Sequence, residues 1–300
     1  MDAIKTYNLS EKSPHPKFSN INMTIEKNCV YGLIELDDEV KHELLKTFLQ
    51  PSDYYNGDIE VFGKQVTDDR DYLKRIGIVT DQLFFYEHLT VYENLKLHCE
   101  YSGFYDYKVI DDTLMLMNIT EVKNELVKDI SLKYKKKVAV ARAILTSPEL
   151  LILDDAIDGI DTESVKDIID VLRALKTSRR TTILLASHNL SEVESIADKV
   201  GILSKGRLVK EMSIDHIRTA NSGYYEIRTI DIKQAAVVLT KDLNLNSFKI
   251  IEPETIKIYD RTIHQNEILK ALIAKDVSID EFTLHSKTLE DYYLSIVGGV

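Results

Sequence analysis

The stretch from Ile130 to Asp161, ISLKYKKKVAVARAILTSPELLILDDAIDGID, restricts the possible folds more than any other part of the chain. A Lys-rich opening leads into an apolar helical run, Val138 to Leu145. Ser147-Pro148 ends that helix, because the residue before a proline is disfavoured in the right-handed helical region. Leu150-Leu151-Ile152-Leu153 follows as a short continuous apolar run, the pattern of a strand buried on both faces, and it closes on Asp154-Asp155. Open α/β sheets collect ligands outside the carboxyl ends of their strands, so two carboxylates delivered there are placed for metal or phosphate chemistry.

The rest of the chain supplies more elements of this kind. Ile21, Met23 and Ile25 alternate after a Pro-punctuated loop at Ser13-Pro14-His15-Pro16, and Cys29-Val30-Tyr31-Gly32-Leu33-Ile34 reads as a buried strand. Glu35 to His42 then leads into a helix over 40–49, whose N-terminus the acids favour through the helix dipole. Asn56-Gly57-Asp58 is a hairpin turn signal feeding Ile59 to Gly63. Ile76 to Gln82 is a strand and loop, and Thr90 with Glu93 three residues on forms a capping box for a helix. Thr181 to Ala186 is another buried strand, ending in Ser187-His188, with Asn189 or Ser191 capping a helix over 190–197. From about Asn221 the pattern changes to short strands (224–228, 248–251, 255–259, 279–284) interleaved with helical runs 231–242 and 264–275. The expected domains are therefore 1–220, with a helical subdomain at about 85–145, and a small α+β domain over 221–300.

Composition closes off several classes. The 300 residues are 44% hydrophobic and 29% charged, which suits core-forming globular domains. No run approaches the roughly 18 apolar residues of a membrane span, and the first residues lack a signal-peptide core, so a cytoplasmic protein is expected. Cys29 and Cys99 have no ligand spacing around either, so neither a disulfide framework nor a zinc site is indicated. A net charge of −11 opposes nucleic-acid backbone binding, so no nucleic-acid partner is expected.

The order S-x-x-x-x-K-K, A-R-A-I-L, S-P-E-L-L-I-L-D-D, D-G-I-D and the later A-S-H-N-L-S-E-V-E resembles the ATP-binding subunit of ABC transporters over roughly the first 215 residues. The closing T-L-E-D-Y-Y-L is similar to the final helix of such subunits from drug, bacteriocin and peptide exporters. The resemblance implies an α/β, P-loop NTPase-like fold with a RecA-like core and a helical subdomain, ATP and Mg²⁺ as cofactors, and a place on the inner face of the cell membrane. The implied partners are an integral-membrane permease, received near Thr90 to Leu95, and a second ATPase subunit or a second copy in a head-to-tail dimer. By resemblance Asp155 and His188 are the catalytic positions. Lys41, His42, Asp81, Gln82, Ser131, Lys133, Asp154 and Asp161 are the nucleotide-binding positions, and Asp154 and Gln82 hold the metal, with Asp81 or Gln82 at the glutamine-loop position.

The sequence departs from the family at two motifs. A P-loop needs glycines so that backbone N–H groups converge on phosphates, and here Glu35, Asp38 and Val40 fill those positions, His42 replaces the hydroxyl, and only Lys41 survives. In the signature Ser131 remains, but Lys133 replaces a glycine. Asp155 is one methylene shorter than the family's glutamate, which pulls a general base from its water. Hydrolysis is expected to be weak or absent, with a catalytically inactive scaffold or regulator as the alternative to an exporter subunit. Glu35, Asp37, Asp38 and Glu39 either face Lys133, Lys135, Lys136 and Lys137 of a partner and close a dimer without nucleotide, or both runs are solvated faces. Phe18 is a candidate adenine platform, though packing in the core is the stronger expectation.

Overall fold

Strands that are apolar on both faces must be covered on both, and the first unit is arranged around three of them. The computed structural model describes residues 2–35, 38–49, 55–67, 70–219, 223–245, 247–251, 254–260, 263–285 and 288–297. It divides into Met1–Ile214 and Asp215–Val300. In chain order the first unit contains β1 (Asp2–Glu11), β2 (Thr24–Glu26), β3 (Val30–Ile34), α1 (Asp38–Leu49), β4 (Tyr55–Val61), β5 (Lys64–Gln65) and β6 (Ile76–Val79). The helices α2 (Val91–Tyr101), α3 (Lys108–Leu116) and α4 (Leu132–Ile144) follow. The unit continues with β7 (Leu150–Asp154), α5 (Thr162–Arg179), β8 (Thr182–Ala186), α6 (Leu190–Ile196), β9 (Lys199–Ser204) and β10 (Arg207–Ser213), and α7 (Ile214–Thr219) begins at its end.

The main sheet has the order β10-β9-β3-β8-β7-β6, and every residue of β3, β7 and β8 is buried. Parallel pairing sets Leu33 beside Ala186, Ala186 beside Asp154, and Leu153 beside Val79. The carboxyl ends of β3, β8, β7 and β6 are therefore level, which brings Glu35, the first turn of α1, 187–188, 154–158 and 80–82 to one end of the sheet. Gly77 of β6 allows α4 to pack closely on it, because a Cβ there would strike the Ala143 carbonyl oxygen.

A second, antiparallel sheet has the order β2-β1-β4-β5. Here the hairpin expectation at Asn56-Gly57-Asp58 is corrected. These residues lie inside β4, where the register with β1 shifts between Tyr7 and Ser10, and Gly57 has φ +92° opposite Asn8 at φ +48°. The same chemistry that suits a turn serves a bulge: a Cβ at Gly57 would collide with the Tyr7 carbonyl oxygen. The turn itself is at Phe62-Gly63, both at positive φ, between the paired Val61 and Lys64.

The second unit runs β11 (Tyr224–Arg228), α8 (Ile232–Val237), β12 (Phe248–Ile251), β13 (Thr255–Ile258), α9 (Gln265–Ile273), β14 (Glu281–His285) and α10 (Leu289–Val297). Its antiparallel sheet, β12-β13-β11-β14, is the split β-α-β-β-α-β arrangement over a core of Tyr225, Ile227, Leu239, Ile256, Ile258, Ile268 and Leu272. Among the described residues no helix is long and apolar enough to cross a membrane.

Candidate functional site

At the level strand ends, the first turn of α1 meets the end of β7. Asp155 leaves β7 in the left-handed region, φ +46°, with its amide donating to the Ala186 carbonyl 3.0 Å away. That turn points its carboxylate at α1, where the Lys41 ammonium, wholly buried, donates to both oxygens at 2.8 and 2.6 Å. Next to it His42 Nδ1 lies 2.9 Å from Asp154 Oδ2 and 3.8 Å from Asp81 Oδ1. The Gln82 amide donates to Asp81 Oδ1 at 2.7 Å and fixes that carboxylate. Lys136, from the second turn of α4, donates to the Asp155 carbonyl oxygen at 2.6 Å.

The acids crowd together. His188 Nδ1 stands 3.5 Å from Asp155 Oδ1 and 3.7 Å from Asp158 Oδ2, and its side chain is half exposed. Burial, then the hydrogen bond and charge of Asp155, push the Asp158 carboxyl up to about 6. Burial acts against ionisation of Asp155 too, but the proton held by Asp158 and the Lys41 ammonium outweigh it and keep Asp155 below the usual range. Burial and the neighbouring Asp158 raise Glu192 to about 7. Asp154 is raised by burial, against the hydrogen bond from His42. Asp158 and Glu192 were not among the residues expected from sequence, and Lys136 was expected only as a contact to a partner. Asp158 carried a signal, an acid three residues past the strand-end pair, whereas Glu192 and Lys136 read as surface positions.

Lys41, His42, Asp81, Asp154, Asp155 and His188 therefore come together, and Gln82 contributes through its backbone. Gln82 and Asp81 are both exposed, and among the described residues Asp81 is the carboxylate that lies with His42 and Asp154. Ser131 and Lys133 make no described contact with this cluster. Ser131 is the exposed N-cap residue of α4 with no side-chain cap hydrogen bond, and Lys133 Nζ lies 3.7 Å from Asp161 Oδ2. Asp161 caps α5, accepting from the Ser164 amide and hydroxyl at 3.0 Å each, and the amide bond holds its carboxyl low.

Two lysines of the expected clasp of four acids on four lysines are engaged within their own chain and are not available to a partner. Lys136 and Lys137 are buried within their own chain, Lys137 donating to Asp167 Oδ2 at 2.6 Å. Glu35 is buried, and the exposed Glu39 is 3.4 Å from Lys17. Leu36, Asp37 and the side chain of Asp38 lie outside the described residues. Phe18 is in the core, 5.9 Å from the Tyr55 ring and stacked on it, so it offers no face to a base.

A second feature lies beyond β6. Phe84, Tyr86, Leu97, His98, Tyr101 and Arg142 line a cleft of about 390 Å³. Phe84, Tyr86 and Tyr101 are 69%, 56% and 75% exposed. Arg142 holds the loop by donating to the Phe84 carbonyl and lying over the Phe85 ring at 4.8 Å. The predicted capping box is present, with Glu93 donating its amide to the Thr90 hydroxyl and accepting the Thr90 amide at 2.8 Å.

Comparison with known proteins gives a consistent result. Residues 18–158 match the family model described as ABC transporter. The chain is 37% identical over 282 residues to the uncharacterized ABC transporter ATP-binding protein YcbN of Bacillus subtilis, covering 94% of this chain and 92% of that one. It is 31% identical over 298 residues to the bacitracin transport ATP-binding protein BcrA of Enterococcus faecalis, covering 99% and 96%. Among solved structures it is similar to an ATP-binding subunit of an ABC transporter, with a TM-score of 0.66 and 22% identity over 73% of this chain and 92% of that one.

Proposed function

This chain belongs to the ATP-binding proteins of ABC transporters, and we propose that within that family it acts as a permease-docking subunit that does not itself hydrolyse ATP. The observation that carries the reading is the buried pairing of Lys41 with Asp155. Members of the family generally bind ATP with Mg²⁺, and the residues here do not fit that group. The lysine that would meet the phosphates is held on a carboxylate of its own chain at 2.6 Å, and Glu35 and His42 occupy positions where the family has a glycine and a hydroxyl. Phosphate brought to this end of the sheet would meet Asp154, Asp155 and Asp158, and like charges at contact distance in a partly buried site repel by several kcal/mol at an effective dielectric of about 20.

The same pairing removes Asp155 as a general base, since both of its oxygens already accept from the Lys41 ammonium. What remains for the chain is binding. The aromatic cleft at Phe84, Tyr86 and Tyr101 suits an apolar helix of a permease, and the relationship to bacitracin transport proteins points to an exporter of peptides or drugs. Turnover would come from a second ATPase subunit paired head to tail. Glu93 is tied into its capping box, so reversing its charge would disturb α2 and not report on docking alone. The test is co-purification with the permease from membranes: Tyr101→Asp and Phe84→Asp release it, while His188→Ala, an exposed position outside the cleft, leaves recovery unchanged. Recovery that followed His188 and ignored the cleft would overturn the reading.

A further inference from the structure

We propose that His42, Asp81 and Asp154 form a binding site for a zinc-class divalent transition metal ion, taken up directly by the chain without nucleotide. The site goes beyond the docking role and does not depend on it. One nitrogen and two carboxylate donors, from α1, the loop after β6 and the end of β7, lie within 4.8 Å of one another. Zinc takes nitrogen and oxygen donors at about 2.0–2.2 Å in a tetrahedron, which sets neighbouring donors roughly 3.3–3.5 Å apart. The observed separations of 2.9 Å from His42 Nδ1 to Asp154 Oδ2 and 3.8 Å from His42 Nδ1 to Asp81 Oδ1 bracket that value.

A second observation points to a ligand. The Asp154 side chain is only 4% exposed, faces His42, and among the described residues its Oδ1 is buried with no hydrogen-bond partner. A buried carboxylate oxygen left unsatisfied is costly, and a cation on this carboxylate removes the cost. His42 and Asp81 are 31% and 46% exposed, so the rim is open for entry and for a water as fourth ligand. Two carboxylates and a neutral imidazole balance a double positive charge.

The neighbouring trio Asp155, Asp158 and His188 offers similar donors, but its cation is already built in. The Lys41 ammonium lies on the Asp155 carboxylate, and the Lys136 ammonium lies on the Asp155 carbonyl oxygen. A metal ion there would meet two ammonium groups. The imidazole donor also selects against Mg²⁺, which demands an octahedron of oxygens, and in favour of zinc-class ions.

The test is calorimetric titration of the chelator-treated full chain with ZnCl₂, MnCl₂ and MgCl₂ in separate runs without nucleotide, together with Co²⁺ absorption spectra. One Zn²⁺ per chain is expected, with tetrahedral-type Co²⁺ bands. His42→Ala, Asp81→Asn and Asp154→Asn should each weaken zinc by about 100-fold or more, beyond what loss of an outer-shell group causes. His188→Ala should leave it unchanged. Asp81 is at the surface, so its variant keeps the test valid if a buried substitution disturbs folding. No zinc uptake, binding lost with His188 but kept without His42, or Mg²⁺ bound as tightly as Zn²⁺ would overturn the proposal. A parallel run with ATP·Mg²⁺ reads the non-hydrolysing role separately: nucleotide binding would count against that role and leave the nucleotide-free zinc result to stand on its own.

Discussion

Replacing Asp155 by Asn tests the buried ion pair with little change of shape. Asn tolerates the left-handed conformation at φ +46° that Ala or Leu would resist, so the substitution removes charge without adding backbone strain. It takes the carboxylate away from a Lys41 ammonium whose side chain is 1% exposed. Breaking a buried pair from one side costs about 3–5 kcal/mol, and the amide oxygen that remains places the expected loss at the lower end, about 3 kcal/mol. For a unit of 150–250 residues that corresponds to a fall in Tm of about 6–12 °C. Lys41→Met should also destabilise, because Asp155 then stands beside Asp154 and Asp158 with Lys41 gone. The double variant Lys41→Met/Asp155→Asn should recover much of the loss, giving a coupling of at least about 1 kcal/mol in thermal or urea denaturation. A Tm within about 2 °C of wild type for Asp155→Asn, or additive single and double effects, would refute the reasoning.

Acid should stabilise the protein between about pH 4.5 and 7. Glu192 and Asp158 have folded values of about 7 and 6 against ordinary values of 4.5 and 3.8, so the native state holds more protons in that window and stability falls as pH rises through it. Glu192→Gln should flatten the pH dependence of the urea midpoint across that window, and an unchanged slope would contradict the assignment. Gly57→Ala should cost about 1–3 kcal/mol, from positive φ and the collision with the Tyr7 carbonyl, and a variant as stable as wild type in the same assay would remove the bulge argument.

The strands were legible because burial on both faces leaves a continuous apolar run, as in Leu150–Leu153, and the capping box at Thr90 and Glu93 was legible because its chemistry is local. Asn56-Gly57 misled because a turn and a bulge ask for the same left-handed residues. Lys136 and Lys137 read as surface charge, since nothing local reveals that one reaches a carbonyl on the next strand and the other an acid 30 residues away. The Lys41–Asp155 pair spans 114 residues, and each partner taken singly looked like a ligand-binding group. Only the level ends of β3 and β7, with Asp155 turning left-handed, bring them within 2.8 Å.

Titration of ATP·Mg²⁺ into the purified full chain tests the central claim most directly, because a lysine already held by Asp155 has no charge to spare for a polyphosphate. The expected result is no measurable binding up to about 1 mM, an affinity weaker than about 4 kcal/mol. A micromolar Kd that Lys41→Ala abolishes would contradict it.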